Sequence, residues 1–267
     1  MKSKDTNLYS SAEVYLNAPE NMKNEVEAWY IGSALFLQQV VKNQKQTLFG
    51  GLGKETGLKI QRELRSVSVL DVCCGPGNFV NYLNLVCSKI EVTGIDTNEI
   101  FLRSARERFK EFGWQFLKED ATNFNLGRKF DFVVASSAYH HIEDKKKIDF
   151  LKNIVSHLSG NGKVIVCENF LPKYSNILSK NKAIKKYYKI LKAYYNKGNA
   201  NPEAIKAIGE VQQLELSGEE EHKVHFGMFK DDIKKAGLEI ETDIIIFQPL
   251  EFQKDNAGTH VLLLKRV

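Results

Sequence analysis

Between Ser66 and Phe170, short apolar runs alternate with stretches whose apolar residues recur at helical spacing. "SVSVLDVC" reads as a buried strand and "NFVNYLNLVC" as a helix. "IEVTGID" is a second strand, and "TNEIFLRSARERFKEFG" a helix opened by Thr97 or Asn98 and closed near Gly113. "WQFLKED" and "FDFVVASS" make a third and fourth strand, "DKKKIDFLKNIVSHLSGNG" a helix with a Gly-rich exit, and "GKVIVCENF" a fifth strand. Strands alternating with helices of about ten to fifteen residues predict an α/β fold, a doubly wound and mostly parallel sheet covered on both faces.

The rhythm changes on either side. Residues 1–65 read as a helical N-terminal cap or lid, with "NEVEAWYIGSALFLQQVV" apolar along one side. Residues 66–267 form the main domain, carrying a helical insertion over about 172–216. In that insertion "NKAIKKYYKILKAYYNKG" is amphipathic, and Asn201 with Pro202 opens a second helix. The acidic loop "SGEEEHKVH" and the short helix "GMFKDDIKKAG" follow, then two strands, "LEIETDIIIF" and "THVLLLKRV", placed to pair at a sheet edge. No internal repeat or low-complexity linker interrupts the chain.

Composition removes some options. No apolar run reaches the length of a bilayer span, and the polar start "MKSKDTNLYSSAEV" has no signal-like apolar segment, so a cytoplasmic protein is expected. The formal charge of +5 invites a nucleic-acid partner. The basic residues are mostly Lys, however, whereas phosphate and base recognition leans on Arg forks. Four cysteines lack any CxxC pair, and the adjacent Cys73 and Cys74 at a strand end point to opposite sides. They read as small structural thiols, and no metal site is expected.

The chemistry gathers where the first strand ends, in "DVCCGPGNF". Ligands of open parallel sheets bind at the carboxyl ends of strands. Glycines there let a backbone approach a ligand, and a helix N-terminus follows. A dinucleotide turn wants a third small residue where Val80 stands, and Asp71 would repel a pyrophosphate. An acid at this place suits a ligand that brings an ammonium or sulfonium charge. Asp96 ends the second strand, where a carboxylate accepts bonds from ribose hydroxyls, and Asp120 ends the third, placed for an exocyclic amine.

"VLDVCCGPGNF", "VTGIDTNEI", "LKEDATNF", "FDFVVASSAYHHI" and "GKVIVCENF" together resemble successive motifs of class I S-adenosylmethionine-dependent methyltransferases, over Val67 to Phe170. The resemblance implies a seven-stranded sheet in the order 3-2-1-4-5-7-6 with strand 7 antiparallel. It implies S-adenosyl-L-methionine as cofactor, with Asp71, Gly75 and Gly77 at its methionine part, Asp96 at the ribose diol, and Asp120 with Ala121 at the adenine. Cys73, Thr97 and Ser136 complete the expected cofactor contacts. Cys73 departs from the commonest pattern, which has Gly there, and Pro76 removes a backbone donor from the turn.

Acceptor-side residues are expected just past the fourth strand, in "SSAYHHIED". His140 and His141 are the candidate bases, and Tyr139 a candidate acceptor contact. Tyr9, Tyr15, Trp29 and Tyr30 of the cap, and His222 and His225 of the acidic loop, are further candidates for the acceptor pocket. The chain lacks an Asn/Asp-Pro-Pro-aromatic motif and a Pro-Cys nucleophile, which turns the expectation from amino-methylation of that type and from base C5-methylation. A small-molecule O, N or C acceptor remains. The alternatives are an RNA methyltransferase using the Lys/Tyr helix, or a cofactor-binding protein without turnover; a homodimer is left open.

Overall fold

The computed structural model describes residues 23–48, 66–198 and 200–267. Seven strands, β1 (Val67–Val72), β2 (Ile90–Asp96), β3 (Gln115–Lys118), β4 (Phe130–Ser136), β5 (Leu158–Phe170), β6 (Leu238–Phe247) and β7 (Gly258–Arg266), form one sheet in the order β3-β2-β1-β4-β5-β7-β6. Neighbours from β3 to β5 are parallel, and β7 runs antiparallel to both β5 and β6. The expected order and the reversed last strand are both present.

Side chains of the central strands alternate between two buried layers. Leu70, Val133, Val164 and Leu262 face one, with α4 (Lys147–Ser156) and α7 (Phe226–Lys235) packed over them through Phe150, Ile154, Phe229 and Ile233. Val69, Val134, Ile165 and Leu263 face the other, covered by α1 (Lys23–Leu48), α2 (Asn78–Val86) and α3 (Glu99–Arg108) through Phe36, Val80 and Leu102. Burial on both faces is why these strands read as continuous apolar runs.

α5 (Ile177–Lys197) and α6 (Pro202–Ser217) form a helical pair between β5 and α7. Helix α5 starts at Ile177, ahead of the amphipathic segment that begins at Asn181, at a capping box in which Asn176 Oδ1 accepts from the Ser179 amide at 2.9 Å. Its Tyr187 and Tyr188 are buried in a small separate core with Leu171, Phe247 and Phe252. The interleaved Lys182, Lys185 and Lys189 remain exposed.

One boundary differs from the sequence expectation. Helix α4 stops at Ser156, and "LSGNG" belongs to β5 instead of to a helix exit. The Phe130 amide donates to His157 O at 2.8 Å, and the Arg266 guanidinium donates to the carbonyls of Leu158 and Ser159. These tertiary partners hold a Gly-containing segment extended.

Candidate active site

The carboxyl ends of β1, β2 and β4 open into a cavity of about 470 Å³. Its floor is the turn after β1. Cys73, Gly75 and Gly77 all have left-handed backbones, with φ of 55°, 53° and 79°. For Cys73 that conformation costs about 1–2 kcal/mol. Ser137, at φ 50°, shares it, and both residues line the cavity. Backbone strain is thus placed on two sides of the same space, as at many ligand sites.

Asp71 lines the cavity, is buried, and has a carboxylate oxygen, Oδ2, with no hydrogen-bond partner among the described residues. Burial first, and then the Asp96 charge, push its pKa well above the usual carboxylate range. Asp96 also lines the space but is held differently. Its Oδ2 accepts from the Gly75 amide at 2.9 Å and its Oδ1 from the Asn98 amide at 2.8 Å. Burial raises its pKa too, while those amides pull it back. The Gly75 bond ties the turn after β1 to the tip of β2.

Other expected cofactor residues divide. Thr97 and Ser136 line the cavity, and Ser136 Oγ accepts from the Trp29 indole at 2.9 Å, which brings helix α1 to the rim. Gly77 does not line it. A Cβ there would sit 2.5 Å from the Phe109 ring, so its smallness serves packing as well as the turn. Asp120 is outside the lining: its Oδ1 accepts from the Thr122 amide at 2.8 Å and hydroxyl at 2.7 Å, closing a local turn. Those bonds lower its pKa. Ala121 is buried beside it and likewise outside the lining.

The two histidines of the turn Tyr139–His141 face different surroundings. His141 lines the cavity, and its Nδ1 is 3.2 Å from Glu220 O. His140 is buried and does not line it. Its Nδ1 is 2.6 Å from Glu168 Oε1, and its backbone amide donates to Glu168 Oε2 at 3.2 Å. The Asn169 amide also donates to Glu168 Oε1, at 2.7 Å. Burial raises the Glu168 pKa, while the Asn169 amide and Lys223 pull it back. With the His140 proton on Nδ1, the neutral imidazole donates to this carboxyl group. Burial and Lys223 lower the His140 pKa well below its ordinary value.

The loop after α6 supplies the other half. Extended backbone alternates its side chains, so Glu221 and Lys223 turn inward and are buried, while Glu220 and His222 line the cavity. The His222 amide donates to His140 O at 2.7 Å and joins loop to turn. Lys223 pairs with Glu221, and with Glu215 at 3.4 Å. Burial alone would lower the Lys223 pKa, but Glu221 and Glu215 hold it well above its ordinary value. Burial likewise works to raise Glu221, yet Lys223 carries it down to about 2.

Several acceptor-side candidates lie elsewhere. Trp29 is at the rim, but its neighbour Tyr30 faces outward, edge-on to Tyr82 at 4.8 Å. Tyr139 is buried, donating its hydroxyl to Asp232 at 2.7 Å under the Lys147 ammonium. His225 caps α7, its Nδ1 accepting from the Met228 amide at 3.2 Å. Tyr9 and Tyr15 fall outside the described residues. Phe79, Asn98, Phe101, Glu143 and Glu219 join the lining without having been singled out in the sequence. Asn98 and Phe101 open the helix after Asp96, a position that any ligand at the strand tip would meet.

A family model described as a methyltransferase domain matches residues 69–162. Among curated proteins the chain is 24% identical over 116 residues to a putative methyltransferase 235L of Invertebrate iridescent virus 6, covering 40% of this chain and 43% of that one. It is 28% identical over 109 residues to the carboxy-S-adenosyl-L-methionine synthase of Campylobacter concisus, covering 40% and 46%. The chain thus spans less than half the length of these two relatives. Among solved structures, the PH0226 protein from Pyrococcus horikoshii shares the fold at a TM-score of 0.52 and 17% identity, over 85% of this chain and 91% of that one. Residues 69–162 thus match a methyltransferase domain, and the strand order around the cavity is that of the class I S-adenosylmethionine-dependent methyltransferase fold.

Proposed function

We propose that the protein binds S-adenosyl-L-methionine over the turn after β1 and transfers its methyl group to a small-molecule O, N or C acceptor. The observation that carries this reading is Asp71, a buried lining carboxylate with an oxygen that no described residue satisfies. Such a group costs several kcal/mol unless a cation meets it, and the methionine moiety brings an ammonium. The cavity volume is within the range of about 300–1,000 Å³ for small-molecule sites. Asp96, anchored by two amides at the tip of β2, is the ribose contact in this reading. Gly75, Cys73, Thr97 and Ser136 shape the wall around it.

The cofactor supplies an electrophilic methyl carbon, so the protein's own work is to hold, orient and exclude water. His141 is the proton acceptor. With Nδ1–H directed at Glu220 O, its Nε2 carries the lone pair that takes a proton from an acceptor hydroxyl or amine. His222, Glu219 and Glu220 form the acceptor side of the cavity, and Trp29 closes the rim. An RNA acceptor is disfavoured by the burial of Tyr187, Tyr188 and Tyr195, which leaves Tyr194 as the one exposed tyrosine ring of α5 for stacking on a base. Among the described residues, no helix is long and apolar enough to cross a membrane.

The test is calorimetric titration with S-adenosyl-L-methionine, followed by turnover against a panel of hydroxylated, amino and carboxylated metabolites. Binding with stoichiometry near one is expected. His141→Ala should keep cofactor affinity and reduce turnover by roughly 10²–10⁴-fold. Absence of cofactor binding would sink the reading, and cofactor binding with no transfer to any acceptor would favour a binding protein without turnover.

A further inference from the structure

The buried end of the His140 ring poses a problem in simple electrostatics. Glu168 accepts a hydrogen bond from His140 Nδ1–H, so the neutral ring presents the Nε2 lone pair. What stands opposite is Glu221 Oε2, at 3.7 Å. The second Glu221 oxygen, Oε1, is 3.8 Å from His141 Nδ1. One ligand atom from each of His140, His141 and Glu221 falls within 4.8 Å of the others. Lys223 meets Glu221 Oε2 from one side, and a cation between the three groups would meet a ligand atom of each.

We propose that His140, His141 and Glu221 bind a divalent first-row transition ion at the inner edge of the cavity. Two imidazoles and a carboxylate suit Zn²⁺, Co²⁺ or Fe²⁺ and not the oxygen-seeking Mg²⁺ or Ca²⁺. Metal–ligand bonds of about 2.0–2.2 Å in a tetrahedral site bring ligand atoms to roughly 3.3–3.6 Å of one another. The atoms here lie within 4.8 Å, so the side chains would close by up to roughly 1.5 Å around the ion. Three further features fit. Glu168 orients the His140 ring from behind at 2.6 Å, the carboxylate–histidine pairing that supports metal ligands. Glu168, Glu215 and Glu221 are three buried carboxylates beside two buried ammoniums, Lys223 and Lys147, which leaves the group one positive charge short. His141 lines the cavity, which gives the ion an entry path and leaves its remaining positions facing Glu220 and His222.

Lys223 opposes this arrangement by holding Glu221 Oε2, but it is shared with Glu215, and Glu221 Oε1 points to His141. The Glu220 carbonyl, 3.2 Å from His141 Nδ1, belongs to the metal-free state in which that nitrogen carries a proton. Metal and proton therefore compete for His141. Binding of the ion does not require the methyl-transfer reading. Its consequence does: an ion here would hold an acceptor oxygen and take over from His141 the task of favouring its deprotonated form.

Tag-free, chelator-treated full-length protein titrated with Co²⁺ under anaerobic conditions tests the site. One equivalent should bind with visible d–d absorption, be displaced by Zn²⁺, and lose at least about tenfold in affinity in His141→Ala. His141 is partly exposed, so that variant should fold as the parent does, checked by circular dichroism. Glu221→Gln should weaken binding similarly. No uptake of Co²⁺ or Zn²⁺ at millimolar concentration, or equal affinity in folded His141→Ala, overturns the site. Cofactor calorimetry on the same sample reports separately on the methyl-transfer reading.

Discussion

Two groups of buried charge lie on either side of one cavity, and they are built in opposite ways. At the tips of β1 and β2, Asp71 and Asp96 bring like charges together, and no cationic side chain is among the principal influences on Asp71. Under the turn after β4, Glu221, Glu215 and Glu168 converge on Lys223, which is itself buried. The first arrangement is costly until a ligand supplies a cation. The second is largely satisfied within the chain and fastens the loop after α6 to the core. The contrast separates a place prepared for a ligand from a place prepared for structure, and His141 stands where they meet.

The largest effect on this comparison should come from breaking the satisfied group. Lys223→Met leaves Glu221 and Glu215 buried without their ammonium, a loss of about 3–5 kcal/mol. At roughly 2–4 °C per kcal/mol for a chain of this size, the melting temperature should fall by about ten degrees. The same pair gives a pH signature. Glu221 has a folded pKa of about 2, below the unfolded value near 4.3, so its contribution is complete above that unfolded value and is lost as pH falls through about 2. Acid titration of the parent and the variant by circular dichroism should show that steep loss in the parent alone. Equal melting temperatures would mean that the loop is not held by charge.

Asp71→Asn acts on the other group and should move two quantities in opposite directions. Cofactor affinity, measured by calorimetry, should fall by about 10–100-fold, the worth of a charge-assisted bond. Stability without cofactor should rise by about 1–2 kcal/mol, because the penalty of a buried, unpaired carboxylate is gone. The folded Asp71 pKa is raised by burial and by Asp96, so its penalty is absent below the unfolded value near 3.9 and grows as pH rises toward the folded value. The melting-temperature gap between Asp71→Asn and the parent should therefore open from acid toward neutral pH. A constant gap would place the destabilisation elsewhere. Cys73→Gly sharpens the same point: removing a Cβ from a residue at φ 55° should add about 1 kcal/mol of stability.

The sequence carried the strand ends well, since a buried parallel strand writes itself as an apolar run and its last residue is marked by an acid. Asp71 and Asp96 could be placed because each closes such a run. Lys223 and Glu221 could not: in "EEEHKVH" they read as part of a solvated loop, and only tertiary contact with His140 and Glu168 turns alternate residues inward. Trp29 and Tyr30 show the same limit on a smaller scale. The two aromatics are adjacent on α1, yet one lines the cavity and the other faces outward, and helical phase alone on a long apolar helix does not say which.

Asp120 gives the smallest and most discriminating expectation. As the third acid at a strand end it reads as an adenine contact, but in the fold its Oδ1 is engaged by both donors of Thr122 and the residue is outside the cavity lining. An Asn side chain keeps a carbonyl oxygen able to accept those bonds, so Asp120→Asn preserves the turn while removing the charge. Cofactor affinity should then stay within about threefold of the parent, less than the energy of one net hydrogen bond. Asp120→Ala removes the turn as well and should cost about 1 kcal/mol of stability. If Asp120→Asn melts like the parent yet loses tenfold in affinity, the carboxylate reaches the ligand after all. The anionic group at the strand tips would then contain three acids, and the contrast with the paired cluster across the cavity would widen.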